Sequence, residues 1–276
     1  MKKIIVPIDF SEHSEYALKA AAKLAQKNDA ELLVLHMLEM SEVMLTASGE
    51  DPQKVIYFLK LAEQRFEEFL KKDYLKDVKI KPIVKHFKVF SEVNDVAQKH
   101  NADIIVMGSH GASGVKEFFV GSNTERVVRH SEIPVLVVKK ELPEVNFDVV
   151  VYACDFSEES IESFIWATRL FEEMNTKLYL VHVNLPNDRF KSSVEIERSV
   201  TNFLTKADGN LDRLDNVSYV SDYTVEDGIL TFANKVGADL IAMSTHGKKG
   251  IAHFFEGSIS EDVANHATLP VMTFKI

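Results

Sequence analysis

The chain has 276 residues, 46% of them hydrophobic, enough for one large domain or for two of about half that size. Its formal net charge of −10 argues against broad nucleic-acid or anionic-membrane binding, which need a basic face. A single cysteine, Cys154, forbids an internal disulfide and supplies no metal framework, which fits a reducing cytoplasm.

The opening MKKIIVPIDFSEHSE turns polar too early for a signal peptide. No apolar run approaches the roughly 18–20 residues of a membrane span, so the expectation is a soluble cytoplasmic protein. Residues 4–8, IIVPI, form an uninterrupted apolar run, as in a strand buried on both faces. Ser11 follows where a helix N-cap belongs, with Glu12 favourable against the helix dipole. Apolar positions 17, 20, 21 and 24 then make one buried helical stripe. LLVLHM (32–37) reads as a second strand, and the stretch around Asp51-Pro52 as a surface loop placed to cover the first pocket. Positions 58, 62, 66, 69 and 70 mark a longer amphipathic helix. Its Glu63, Glu67 and Glu68 make it core-facing rather than membrane-binding. A third strand (78–87), a third helix (92–100), a fourth strand ending at Met107, a glycine loop, a fourth helix and a last strand PVLVV complete the series.

The whole series then returns. IIVPIDFSE (4–12) reappears as VVYACDFSE (150–158), LLVLHM as LYLVHV (178–183), and ADIIVMGSHG (102–111) as ADLIAMSTHG (238–247). FFVGS (118–122) is matched by FFEGS (254–258), and IPVLVVK (133–139) by LPVMTFK (269–275). Two homologous domains follow, 1–142 and 146–276, joined by a short linker within KKELPEVNF (139–147). Strand and helix alternating throughout predicts an α/β fold: two doubly wound, mostly parallel five-stranded sheets with helices on both faces. In such sheets small ligands sit beyond the carboxyl ends of the strands, where the winding reverses.

The candidate site lies there. Gly108, Gly111 and Gly121-Ser122 give the spacing G-x2-G-x9-G-S on a strand–loop–helix frame. Glycines free the backbone for positive φ and let phosphates approach main-chain N–H groups. The helix opening at Gly121-Ser122 adds its dipole, and Ser122 and Thr124 add hydroxyls. The alternative is that these glycines only make tight turns. Asp9 and Asp155 end the first strand of each copy and could accept from a ribose hydroxyl, help hold Mg²⁺, or simply bond the following backbone in an Asx turn. His36 and His182 read as core histidines bonded to backbone rather than ligands. His110 and His246 read as neutral turn residues, and Cys154 as a buried inert thiol. Lys85, Lys88, Lys116, Lys248 and Lys249 could build a local basic site.

On these motifs, V-P-I-D-F-S-E, the strand-ending L-H and the glycine spacing, each copy resembles a domain of the universal stress protein family, and the tandem resembles its two-domain members. The resemblance implies the adenine nucleotide alpha hydrolase-like fold and binding of ATP or AMP with a divalent ion, such as Mg²⁺, near the phosphates. It implies that Pro7 and Asp9 flank the adenosine, that Met37 and Met107 line the adenine pocket, and that Gly108, Gly111, Gly121, Ser122, Asn123 and Thr124 surround ribose and phosphates. It also implies that the last strands pair the two domains as a pseudo-dimer within the chain, and it leaves room for a homodimer. The second copy departs from the pattern: Ser244 replaces the first glycine, Ala153 replaces Pro7, Ile259 replaces Asn123, and Glu256 adds an acid beside the loop. A weakened or empty second site is expected around Asp155, Val183, Met243, Gly247, Gly257 and Ser258, with Lys248 and Lys249 as partial compensation.

Three activities fit. One is a stress-response regulator in which nucleotide occupancy sets shape or assembly. The second is a slow ATP hydrolase, disfavoured by the absence of G-x4-G-K-S/T and of S-G-G-x-D-S, which leaves only His110 and Lys116 near the loop. The third is a scaffold for protein partners that binds no ligand. No catalytic residue is assigned.

Overall fold

A computed structural model describes residues 1–38, 52–86, 92–109, 121–245, 263–264 and 266–276. The first half contains β1 (Lys3–Ile8), α1 (Glu12–Asn28), β2 (Glu31–Leu38), α2 (Pro52–Phe69), β3 (Lys79–His86), α3 (Glu92–Lys99), β4 (Ile104–Gly108), α4 (Ser122–His130) and β5 (Val135–Val138). The second contains β6 (Val149–Ala153), α5 (Ile161–Glu173), β7 (Lys177–Asn184), α6 (Ser193–Asp208), β8 (Val217–Ser221), α7 (Val225–Val236), β9 (Leu240–Thr245) and β10 (Val271–Lys275). None of the helices among the described residues is long and apolar enough to cross a membrane.

The strands form a single ten-stranded sheet in the order β3-β2-β1-β4-β5-β10-β9-β6-β7-β8. All pairs are parallel except β5–β10, where Leu136 opposes Met272 in antiparallel register. The two five-stranded sheets expected from sequence are thus joined edge to edge into one, by the last strand of each half. In each half the first strand (β1 or β6) lies between two strands it reaches by opposite windings, so β1/β4 and β6/β9 are the switch points.

Strand alternation divides the core. Ile4, Val6 and Ile8 point with Val106, Tyr152, Ala242 and Phe274 into one cluster that runs unbroken across both halves beneath α1 and α5. On the opposite face Ile5, Met37 and Met107 pack with α3 and α4, while Val151, Ile241 and Met243 pack separately with α7. The alanine-rich face of α1 packs chiefly on β4 and β1, and the linker crosses its outer side. Lys19 pairs with Glu141, Lys23 donates to the carbonyls of Leu142 and Pro143, and Lys27 donates to that of Asn146. Three lysines one turn apart therefore hold the linker along the helix.

One local expectation needs correction. Pro52 opens α2 instead of lying in a surface loop, a position where its missing N–H costs nothing; the loop proposed around it, 39–51, lies outside the described residues. Within α2, Phe66 is buried as expected, and Ile56, Tyr57 and Leu61, which lie off the expected stripe, are exposed.

Candidate functional site

The site is built from the carboxyl ends of β1 and β4 and the start of α4. β4 ends at Gly108, and the N–H of Ser109 bonds to the Val138 carbonyl of β5. Across the loop, the N–H of Gly121 donates to the Ser109 carbonyl at 2.6 Å, which brings the first turn of α4 back over the strand end. Gly121 is extended there, and among the described residues no side chain caps the helix. The first N–H groups of a helix have no partner within it, so this turn presents donors and a positive dipole end. Gly111 lies outside the described residues, as do His110, Lys88 and Lys116.

The glycine at 108 is needed for a different reason from the one expected. Among the described residues only Gly209 and Gly237 are glycines with positive φ. Gly108 sits in regular strand, and a Cβ built on it would lie 2.5 Å from the carbonyl oxygen of His13. The glycine therefore admits the backbone of α1 against the strand end. Thr124 also differs from expectation: its buried hydroxyl donates to the Gly108 carbonyl at 2.8 Å, so its proton is not free for a phosphate. Ser122 is exposed and Asn123 half-buried.

Asp9 makes the Asx turn, its Oδ1 accepting from the Ser11 N–H at 3.0 Å. Ser11 in turn caps α1, accepting from Ser14 N–H. Between them Phe10 is held at φ 64°, a strained angle for a bulky residue, and its counterpart Phe156 at 56°. The Phe10 ring lies 4.4 Å from the His36 ring, with Phe69 at its edge and the Arg65 guanidinium 4.9 Å above it. His36 bonds through Nδ1 to the Ile8 carbonyl, and His182 likewise to that of Cys154. A carbonyl only accepts, so Nδ1 carries the proton in both. Burial pushes both imidazoles below the ordinary histidine range. Both are the backbone-bonded core residues expected. Cys154 is buried, which raises its thiol far above the reactive range. Pro7, Met37 and Met107 are buried near the ends of β1, β2 and β4.

The second half is assembled differently at each of these points. Ser244 stands where Gly108 does, and its hydroxyl lies 2.6 Å from that of Tyr152 and 2.7 Å from that of Ser163. The first half has Val6 and Ala17 in these two places. Ser163 donates to the Ser160 carbonyl, so it must accept from Ser244, which in turn accepts from Tyr152. The helix start has moved out to make room. Ser157 makes no side-chain cap, a 3₁₀ turn occupies Glu158–Ser160, and α5 begins only at Ile161. Asp155 is exposed, its Oδ1 accepting from Ser157 N–H and the Ser160 hydroxyl. Val183, the counterpart of Met37, is met by the first turn of α7: a Cβ on Gly228 would lie 2.7 Å from a Val183 methyl. Met243 is buried. Gly247, Gly257, Ser258, Lys248 and Lys249 lie outside the described residues, as does His246. The hydroxyl chain and the glycine in α7 escaped the reading of sequence, although the mismatches Val6/Tyr152, Ala17/Ser163 and Gly108/Ser244 mark the first of them once the copies are laid side by side. Among the described residues no cluster of His, Cys, Asp and Glu could hold a metal ion.

Comparison with known proteins places this architecture. The profile of the universal stress protein family matches residues 1–139 and again 146–275. Universal stress protein MJ0577 of Methanocaldococcus jannaschii is 34% identical over 156 residues, spanning 51% of this chain and 96% of its own length. Universal stress protein G of Escherichia coli O157:H7 is 34% identical over 142 residues, 50% of this chain and 99% of its own. A universal stress protein from Archaeoglobus fulgidus has the same fold across 99% of this chain and 98% of its own, with a TM-score of 0.74 at 22% identity. The chain belongs to the universal stress protein family.

Proposed function

We propose that this tandem member of the family binds one adenine nucleotide, ATP or AMP, in its first half, and that occupancy sets the shape or assembly of a stress-response regulator with little turnover. The observation that carries the reading is the uncapped start of α4, folded back over the end of β4 by the Gly121–Ser109 bond, beside the β1/β4 switch point. Amides of Ser122, Asn123 and Thr124 would meet the phosphates there. Asp9 and Pro7 would flank the ribose, and Met37 and Met107 the adenine. A divalent ion such as Mg²⁺ would travel with the phosphates, within reach of Asp9 at the end of β1. In the second half the exposed Asp155 and the contact of Gly228 on Val183 favour a site that is closed or weak.

Equilibrium dialysis against Mg-ATP and against AMP tests this. One equivalent per chain is expected, lost in Gly121→Val, whose side chain fills the approach to the amides while its backbone angles suit valine. Two equal sites would overturn the asymmetry, and binding that survives Gly121→Val would overturn the placement.

A further inference from the structure

The two outer edges of the sheet carry different residues. At one end β3 presents Lys79, Lys81, Pro82 and Lys85, and Lys79 is paired with Asp29 at 2.6 Å. Lysine and proline on an edge are the usual means by which a protein keeps another strand from adding to it. At the other end β8 is Val217-Ser218-Tyr219-Val220-Ser221, with neither charge nor proline. Its inner side pairs with β7, and among the described residues no strand covers its outer side. Large exposed apolar residues lie beside it: Tyr219 is 51% exposed, Tyr223 87% and Phe190 63%. Phe190 is tied to the same place, because Asn184 at the end of β7 accepts the Asp222 N–H and bonds Lys191 through its side chain.

We propose that the β8 edge pairs antiparallel with β8 of a second copy of this chain, giving a twofold dimer whose sheet runs unbroken through both. Centred on Tyr219, this register sets Val217 against Ser221 and Ser218 against Val220. Beyond the strand, Asn216 meets Asp222 and Asp215 meets Tyr223, so no acid directly opposes an acid. In a chain of net charge −10, a neutral edge is where two copies can meet without repulsion. An acidic peptide partner would be drawn instead to the lysines of β3. The pairing mode is the one that already joins the halves, where β5 and β10 meet antiparallel. A twofold contact uses the β8 edge of both copies and leaves only lysine-bearing edges outside, so assembly stops at the dimer.

Sedimentation equilibrium of the full chain gives the test. A concentration-dependent dimer is expected, and Tyr219→Lys with Ser221→Lys should weaken association by roughly a hundredfold. Position 219 opposes itself and position 221 lies on the same face, so four like charges gather on one side of the pair. Far-UV circular dichroism should stay unchanged, because both side chains are exposed, and the melting temperature should match that of the parent chain at dilutions where the parent is monomeric. In a Cys154→Ala background, mild oxidation should cross-link Tyr219→Cys, which faces itself, and leave Ser221→Cys, which faces Val217, monomeric on a denaturing gel. A chain that stays monomeric at millimolar concentration overturns the proposal, as does a dimer that survives the two lysines or cross-links equally at both positions.

Discussion

At the ends of β4 and β9 the same strand position is built two ways, and the difference shows what the small residue is for. In the first half Gly108 lets the His13 carbonyl come to where a side chain would be, so α1 begins immediately after the Asx turn at Asp9. In the second half Ser244 takes that space, and the helix starts a turn later behind a 3₁₀ segment. The half-buried hydroxyl that this introduces is then satisfied by two others, Tyr152 and Ser163, brought in where the first half is apolar. One substitution has thus drawn a helix start and two core residues with it. A glycine expected on the strength of a phosphate loop sets how close a helix comes to the crevice.

The sharpest way to break this comparison is to give the first half the side chain it excludes. Gly108→Ala places a methyl against main-chain atoms that cannot rotate away, and should lower unfolding free energy by about 1–3 kcal/mol. Urea denaturation followed by circular dichroism measures it. An unchanged midpoint would mean that α1 yields easily, and that the two helix starts differ for some other cause.

The hydroxyl chain sharpens the comparison from the other side. Ser163→Ala takes the acceptor from the Ser244 proton at a half-buried position and should cost about 1–1.5 kcal/mol. Tyr152→Phe removes only the terminal donor, at about 1 kcal/mol, since Ser244 keeps its bond to Ser163. The double variant should cost less than the two together, because the residues share one network. Full additivity in a double-mutant cycle would show three independent serine and tyrosine contacts rather than a directed chain.

Much of this was legible in the sequence. The duplicated D-F-S-E, the apolar runs and the glycine spacing point to two copies of alternating strand and helix, because such runs and turn residues act locally. The order of the strands and the pairs at the switch points are seen only in the sheet. The backbone-bonded roles of His36 and His182 could be anticipated from their place at the end of a buried strand. What was not legible depends on distance between segments far apart in sequence. Gly108 looks like a residue chosen for φ until His13 is seen beside it. Thr124 looks like a phosphate ligand until its hydroxyl is found on the Gly108 carbonyl. Phe10 reads as filler in the motif, yet its strained backbone and its ring on His36 tie the turn to the core.

The histidines are where the halves do not differ, and the smallest effect is expected there. His36 and His182 each donate from Nδ1 to the carbonyl at the corresponding point of the preceding strand, and burial holds both below the ordinary imidazole value. An unfolded chain protonates its histidines near pH 6.5, whereas these two resist until the pH is lower, so the unfolded state binds more protons in that interval. Their contribution is complete above about pH 6.5 and is lost as the pH falls through the folded values. Stability measured in urea from pH 7.5 down to about 5 should therefore decline, with a shallower slope in either His36→Asn or His182→Asn and the shallowest in the double variant. Equal slopes from the two single variants would mean that the core beneath both turns is the same, and that divergence is confined to the glycine position. Unequal slopes would carry the difference between the halves down into β2 and β7.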